Sequence, residues 1–174
     1  MYIHSSSCYD ISKKMSSITF QKTIESILNE CQECHSQSDS IVRAIHSVIQ
    51  QYNKFEDLMP DFSICAHDRI KFVGEAIMLT TKHNTNWGKV VAMISFSVAA
   101  LQTIDEDYRR VATSTLSSYI AKSVGVNWFI DHGGKKGLVE FCDTILSKSN
   151  VTFSVFLLPA ILTVIILIGT LLIK

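Results

Sequence analysis

The chain has 174 residues, of which 47% are hydrophobic and 18% are charged, and its 16 basic residues balance 16 acidic ones. This composition supports one packed domain and excludes a disordered chain. Because the formal net charge is zero, no electrostatic field favours a nucleic acid, and we expect no nucleic-acid partner.

The N-terminal residues 1–16 are predicted to form a tail ahead of the first helix. The chain opens with MYIHSSSCYD, which contains no apolar run, so we expect no secretory signal peptide. Without export, the five cysteines are expected to be reduced thiols in the cytosol. The first helix is predicted from about Ser17 to Cys34, because apolar residues recur there on one helical face. They are Phe20, Ile24, Ile27, Leu28 and Cys31.

A second helix is predicted after a polar turn at residues 36–40, where Asp39 or Ser40 can cap the helix start. Its apolar residues recur at the i, i+4 and i+7 spacing of a single stripe, and Pro60 ends this part of the chain. The stripe consists of Ile41, Ile45, Val48, Ile49, Tyr52 and Phe55.

The central part of the chain predicts a helix without a polar face. Residues 87–101 read WGKVVAMISFSVAAL, which is apolar nearly all round. Such a helix belongs in the centre of a domain, surrounded by other helices. An amphipathic helix is predicted before it, from about His67 to Thr81. The inward residues of that helix are Ile70, Val73 and Ile77.

Another amphipathic helix follows the central one. The acidic residues at positions 105–107 favour its start, because they suit the positive end of the helix dipole. Two short helices are predicted near Trp128 and Leu138, and the helical domain as a whole is assigned residues 17–148. The apolar stripe of the amphipathic helix is Tyr108, Val111, Leu116, Tyr119 and Ile120.

Residues 151–174 are predicted to form a membrane anchor. The stretch 153–173 has no charged residue, and at about 1.5 Å per residue it is roughly 31 Å long, the thickness of the hydrocarbon core of a bilayer. Lys148 and Lys174 flank it and can reach the headgroups. The alternative, a buried helix of a soluble domain, is usually shorter. We therefore expect one C-terminal transmembrane helix, with the preceding domain in the cytosol.

Two motifs resemble those of a known family. Residues 84–96 read NTNWGKVVAMISF, and residues 127–134 read NWFIDHGG, followed by GLVEF at residues 137–141. They resemble the BH1 and BH2 motifs of the Bcl-2 family in order and spacing. The resemblance implies an all-α fold, a Bcl-2-like helical bundle around a central hydrophobic helix, with one C-terminal transmembrane helix.

The resemblance also implies a surface groove that binds BH3 helices, which carry apolar anchors and an acidic residue. Asn86 can cap the central helix, and Gly88 lets a ligand backbone approach closely. Lys89 would lie at the groove rim and pair with the ligand acid. The proposed apolar lining could equally be plain core. It consists of Val48, Tyr52, Val90 and Phe96, and the BH2 residues are Trp128, Gly133 and Gly134.

Three departures from the family pattern bear on function. Lys89 replaces an arginine and so loses its planar fork of donors. Lys135 stands where the family usually has a tryptophan, which makes that end of the groove more polar. In the second helix His46 replaces the acid of an exposed BH3 motif, which a killer protein needs in order to activate. The resemblance therefore implies a pro-survival protein, similar to the compact virally encoded members.

The expected function is inhibition of apoptosis by binding BH3-only and Bax-like or Bak-like proteins. The expected location is the outer mitochondrial membrane, or the endoplasmic reticulum, of a host cell. The alternatives are a Bax-like or Bak-like pore-forming protein and a tail-anchored adaptor with a closed groove. Release of liposome contents would distinguish the first alternative, and failure to bind any BH3 peptide would indicate the second.

An enzyme is not expected, because the chain contains no G-x-S-x-G, phosphate-binding loop or H-E-x-x-H string. Residues 31–35 read CQECH, a haem-attachment pattern, but attachment requires an exported compartment. The same residues with Cys65 or His67 could hold zinc, yet a second closely spaced pair is missing. We therefore expect no cofactor and no metal.

Overall fold

The structure is a computed structural model that describes residues 5–33, 39–51, 65–81 and 84–147, and of residues 5–16 and 51 it describes only the backbone. Within these ranges every regular element is an α-helix, in agreement with the predicted all-α class. In chain order the helices are α1 (Ser5–Gln32), α2 (Ser40–Gln51), α3 (Ala66–Thr80), α4 (Trp87–Gln102), α5 (Glu106–Val124), α6 (Val126–Asp131) and α7 (Gly134–Ser147).

Helix α4 forms the centre of the bundle, as its lack of a polar face predicts. It contacts α1, α2, α3 and α5, and residues 90–98 are all buried. Both serines in this stretch are buried: Ser97 Oγ donates to the backbone O of Met93 at 2.9 Å inside the same helix, whereas Ser95 Oγ has no hydrogen-bond partner among the described residues. The other helices therefore shield α4 from water, and its position fixes the framework of the domain.

Helices α2 and α3 pack on α4 separately. Helix α2 also contacts α1 and α7, whereas α3 packs mainly against α5. The two helices have almost no contact with each other in the part of the chain that the structure describes. A side of α4 therefore lies between them, and this arrangement bears on the candidate site.

The first helix begins earlier than the sequence predicts. We expected a start at Ser17, but α1 begins at Ser5, so the proposed boundary between tail and domain falls inside this helix. The reason is that the chain has no Gly or Pro before Pro60, so nothing in the sequence stops the helix. The predicted core face is confirmed, because its members are all buried. They are Phe20, Ile24, Ile27, Leu28 and Cys31.

The start of α2 confirms the predicted cap. The carboxylate Oδ1 of Asp39 accepts the backbone N–H of Ile41 at 2.7 Å, which satisfies a donor that the first helical turn leaves unpaired. Ile41, Ile45 and Val48 are buried, as the predicted stripe requires. The last two stripe residues, Tyr52 and Phe55, lie outside the described residues.

The predicted inward position of Val111 on α5 is wrong, since its side chain is 54% exposed. Val111 lies nine positions before Ile120, and at about 100° per residue this places the two on opposite sides of the helix. The buried face is centred instead on Leu116 and Ile120, and small residues such as Ala112 complete it. This face contains small and hydroxyl-bearing residues, so the spacing of large apolar side chains in the sequence does not reveal it.

Helix α3 is held closely against α5 and the loop that precedes α5. Gly74 faces the ring of Tyr119, and a Cβ at that position would overlap the ring. Ser123 Oγ donates to the backbone O of Ile77 at 3.0 Å, and Arg69 donates to the backbone O of Thr103 at 2.9 Å. These contacts fix α3 along its length.

No helix among the described residues has both the length and the apolar character needed to cross a membrane. The predicted anchor, residues 151–174, lies outside the described ranges.

Candidate functional site

The first turn of α4 is organised by Asn86. Its backbone is extended, with φ −149° and ψ 165°, and its side chain Oδ1 accepts the backbone N–H of Lys89 at 2.9 Å. The backbone O of Asn86 accepts the N–H of Val90 at 3.1 Å. Asn86 is therefore the N-cap of α4, as predicted, and it sets the direction in which the next residues project.

Lys89 is half-buried at this end of α4. Its Nζ donates to the side-chain Oδ1 of Asn84 at 2.6 Å and to the backbone O of the same residue at 3.0 Å. Partial burial lowers the pKa of the Lys89 ammonium, because the charged form has lost some of its water. Among the described residues Lys89 forms no ion pair, so its charge is met only by neutral oxygens.

The predicted apolar lining belongs to the core of the described domain. Val48 on α2 and Val90 and Phe96 on α4 are at most 1% exposed, and Gly88 is also buried. Tyr52 lies outside the described residues. Three of the four residues thus lie on two helices that contact each other. Because their side chains are buried, their role in lining a groove stays a prediction.

The two motif regions meet through aromatic rings. Trp87, the first residue of α4, packs edge-on against Trp128 of α6, with 4.9 Å between ring centroids. Trp87 also meets Phe129 edge-on at 5.9 Å, and Phe129 stacks on Phe20 of α1 at 4.1 Å. This aromatic cluster joins α1, α4 and α6, and it supports the end of α4 that carries Lys89.

The turn between α6 and α7 requires its glycines. Gly133 and Gly134 have φ values of 88° and 60°, in the left-handed region that favours glycine. A Cβ at Gly137 would overlap the backbone O of His132 and would lie 3.1 Å from Cζ2 of Trp87. Gly137 therefore lets α7 approach the start of α4 closely.

Three contributors lie within the motif stretches but were given no role of their own from the sequence, namely Asn84, His132 and Gly137. His132 stacks on Trp128 with 4.1 Å between ring centroids, and its Nδ1 donates to the backbone O of Trp128 at 2.7 Å. The spacing of Gly137, four residues after Gly133 on a helical turn, is a signal that could have identified it. The loop contact of Asn84 leaves no periodic signal.

The BH3-like region of α2 is partly buried. Ala44 and Ile45 are in the core, and His46 is half-buried beside them. Lys135, at the position where the family usually has a tryptophan, is exposed. The burial of this part of α2 is consistent with a helix that is not exposed as a BH3 motif. The exposure of Lys135 is consistent with a more polar end of the groove.

No three His, Cys, Asp or Glu side chains lie close enough to hold a metal ion in the part of the chain that the structure describes. Cys34 and His35 of the CQECH string lie outside that part. Cys31 is fully buried, and burial, with the nearby Glu30 and Asp39 charges, raises the pKa of its thiol to about 12. A thiol in that state is a poor metal ligand, because metals bind the thiolate.

Comparison with known proteins identifies two viral relatives. The chain is 65% identical over 160 residues to the "Bcl-2-like gene 16 protein" of Saimiriine herpesvirus 2 (strain 11), a match that covers 92% of this chain and 100% of that protein. It is 30% identical over 67 residues to the "Apoptosis regulator Bcl-2 homolog" of Human herpesvirus 8 type P (isolate GK18), covering 37% of this chain and 38% of that protein.

No protein-family model matches the chain, and no solved structure matches it. The match at 65% identity nevertheless covers 92% of the chain, and the described part has the all-helical fold that the motifs imply. The chain therefore belongs to the Bcl-2 family and is related to its virally encoded members.

Proposed function

We propose that this chain inhibits apoptosis by binding the BH3 helices of pro-apoptotic Bcl-2 family proteins, and that it is not an enzyme. Its partners are BH3-only proteins and Bax-like or Bak-like proteins. The observation that carries the proposal is the position of Lys89 in a chain 65% identical to a viral Bcl-2-like protein. Its ammonium, which among the described residues contacts only the neutral oxygens of Asn84, lies at one end of the apolar helix α4.

The arrangement of helices suits a bound helix between α2 and α3. Both pack on α4 and have almost no contact with each other, so a ligand helix placed there would rest on α4. Lys89 and Phe96 are seven residues apart and share one face of α4, which matches a ligand with apolar anchors and one acid along the same stripe. Because Phe96 is only 1% exposed, a ligand reaches it only if the residues that cover it move aside.

A receptor role is favoured over a killer role by α2. The buried face of α2, which includes Ile45 and Val48, packs against α4 and α7, so exposing α2 would open the core. In addition, an exposed BH3 helix uses an acidic residue to pair with its partner, and in this chain His46 occupies the position of that acid. A protein that only receives BH3 helices needs neither the acid nor the exposure.

The membrane part of the proposal concerns residues 153–173, whose apolar run matches the thickness of a bilayer. We place the chain on the outer mitochondrial membrane of the infected cell, with the endoplasmic reticulum as the alternative. Alkaline extraction and organelle imaging of the full chain test this placement. The matched variant is Ile166→Lys with Leu167→Lys, since each lysine near the centre of a transmembrane helix costs about 3 kcal/mol. Equal membrane retention of both proteins would refute the anchor.

The function is tested by calorimetry on the full chain in lipid nanodiscs, titrated with Bim-type, Bak-type and Bax-type BH3 peptides. We expect dissociation constants near the nanomolar range, which correspond to about −12 kcal/mol. No binding across the panel would refute the proposal and favour the adaptor with a closed groove. Release of liposome contents by the chain itself, without binding of the peptides, would favour the pore-forming alternative.

A further inference from the structure

Among the described residues, the contact between Lys89 and Asn84 leaves N–H donors of both side chains without a partner. A lysine ammonium has three N–H donors, and the two oxygens of Asn84 occupy two of them. The side-chain amide of Asn84 also carries an NH₂ group with two donors. Within the described residues that nitrogen has no hydrogen-bond partner, and Asn84 is exposed.

The Lys89 contact also orients the Asn84 amide. Oδ1 of Asn84 lies 2.6 Å from Nζ of Lys89. Nδ2 of Asn84 is bonded to the same carbon as Oδ1, so it also lies near the ammonium. Donors from two different residues are therefore close to each other at the N-terminal end of α4. An arginine also presents neighbouring donors, and this is what lets it bind both oxygens of one carboxylate.

We propose that Asn84 and Lys89 together form a carboxylate-binding pair that replaces the arginine fork, with Lys89 Nζ donating to one oxygen of the ligand acid and Asn84 Nδ2 donating to the other. The inference rests on the proposed function, because it takes the carboxylate to be the acidic residue of a bound BH3 helix. It assigns Asn84 a role in specificity: the pair selects a ligand whose acid reaches both donors.

Two further observations favour a cooperating pair. The ammonium is already held in place, so it loses less side-chain freedom when a ligand binds than a free lysine would. It is also partly desolvated, which its lowered pKa reflects, so an incoming carboxylate would compensate for lost water. In the alternative, Asn84 competes with the ligand for Lys89. Removing the Asn84 side chain would then tighten peptide binding, whereas a cooperating pair predicts weaker binding.

The test measures peptide affinity for Asn84→Ala in the full chain in nanodiscs. We use one BH3 peptide with its native aspartate and one in which that aspartate is alanine. Loss of one hydrogen bond to a charged group predicts about tenfold weaker binding of the aspartate peptide. Binding of the alanine peptide should be unchanged. Asn29→Ala, which removes another exposed asparagine, on α1, is the matched control.

A second pair of variants separates a donor role from an effect on the loop. In a Lys89→Arg background the arginine supplies both donors, so Asn84→Ala should weaken binding by less than about twofold. Asn84→Asp keeps the oxygen that Lys89 contacts but replaces the donor with an acceptor. It should weaken binding of the aspartate peptide at least as much as Asn84→Ala, while retaining the shape of the side chain.

The outcomes separate the pair from the proposed function. If the parent binds the aspartate peptide and Asn84→Ala binds it equally or more tightly, the pair is refuted and the function stands. Equal losses for the aspartate and alanine peptides would also refute the pair, since the carboxylate would not be involved. If the parent binds no peptide, the proposed function fails and the pair fails with it.

Discussion

Trp87 and Trp128 pack edge to face, with 4.9 Å between their ring centroids and 67° between their planes. The contact connects the first residue of α4 with α6, and so the two motif regions of the sequence form one aromatic cluster. Phe129 extends the cluster to Phe20 on α1. The start of α4, where Lys89 lies, is therefore positioned by side chains and not by the loop alone.

Replacing Trp128 by alanine should destabilise the domain. The side chain is half-buried and contacts both Trp87 and His132, so we expect a loss of about 2 kcal/mol in the free energy of unfolding, less than for a fully buried tryptophan. Chemical unfolding of the full chain in detergent, followed by circular dichroism, measures it. Trp128→Phe is the control and should retain most of the stability. An alanine variant as stable as the parent would contradict the packing of the cluster.

Gly74→Ala should also destabilise the chain, although alanine is the better helix former. An added Cβ overlaps the Tyr119 ring, and overpacking of this kind costs about 1–3 kcal/mol. The same substitution in a Tyr119→Leu background should be neutral or stabilising, since alanine exceeds glycine by about 1 kcal/mol inside a helix. Thermal unfolding of the four proteins gives the coupling. Stabilisation by Gly74→Ala in the parent would show that the ring does not face this glycine.

The buried thiols predict a loss of stability at alkaline pH. Burial, followed by the charge of nearby carboxylates, raises the pKa of both Cys31 and Cys142 from 9.0 to about 12. Above pH 9 the unfolded chain releases these protons while the folded chain keeps them. The stabilising contribution is therefore complete below pH 9 and is lost as pH rises toward 12, by about 1.4 kcal/mol per thiol and pH unit.

This dependence is measured by chemical unfolding at pH 8 and pH 10. The parent is compared with Cys31→Ala and Cys142→Ala, and the difference between the two pH values matters rather than the baseline, because each alanine leaves a small cavity. Each variant should lose less stability than the parent between these values. At pH 8 a thiol reagent should modify the exposed Cys65 well before either buried thiol. An identical pH dependence in all three proteins would contradict the burial of the thiols.

The features that sequence could predict are those with a strong local signal. The position of α4 followed from its lack of a polar face, and the caps at Asp39 and Asn86 followed from short polar side chains before apolar runs. Val111 was assigned to the wrong face because small residues such as Ala112 form much of the buried face of α5, although the nine-residue spacing from Ile120 already places Val111 on the opposite side. The contact of Asn84 with Lys89 depends on the path of a loop, which no periodicity encodes.

The central claim is that Lys89 pairs with the acid of a bound BH3 helix, and a charge swap tests it most directly. In the full chain in nanodiscs, Lys89→Glu should weaken binding of the native BH3 peptide by about 2 kcal/mol, roughly 30-fold. A peptide whose aspartate is replaced by lysine should bind Lys89→Glu better than it binds the parent. Lys122→Glu, a charge reversal at an exposed lysine on α5, should leave both affinities unchanged. Native peptide binding to Lys89→Glu as tight as to the parent would contradict the account.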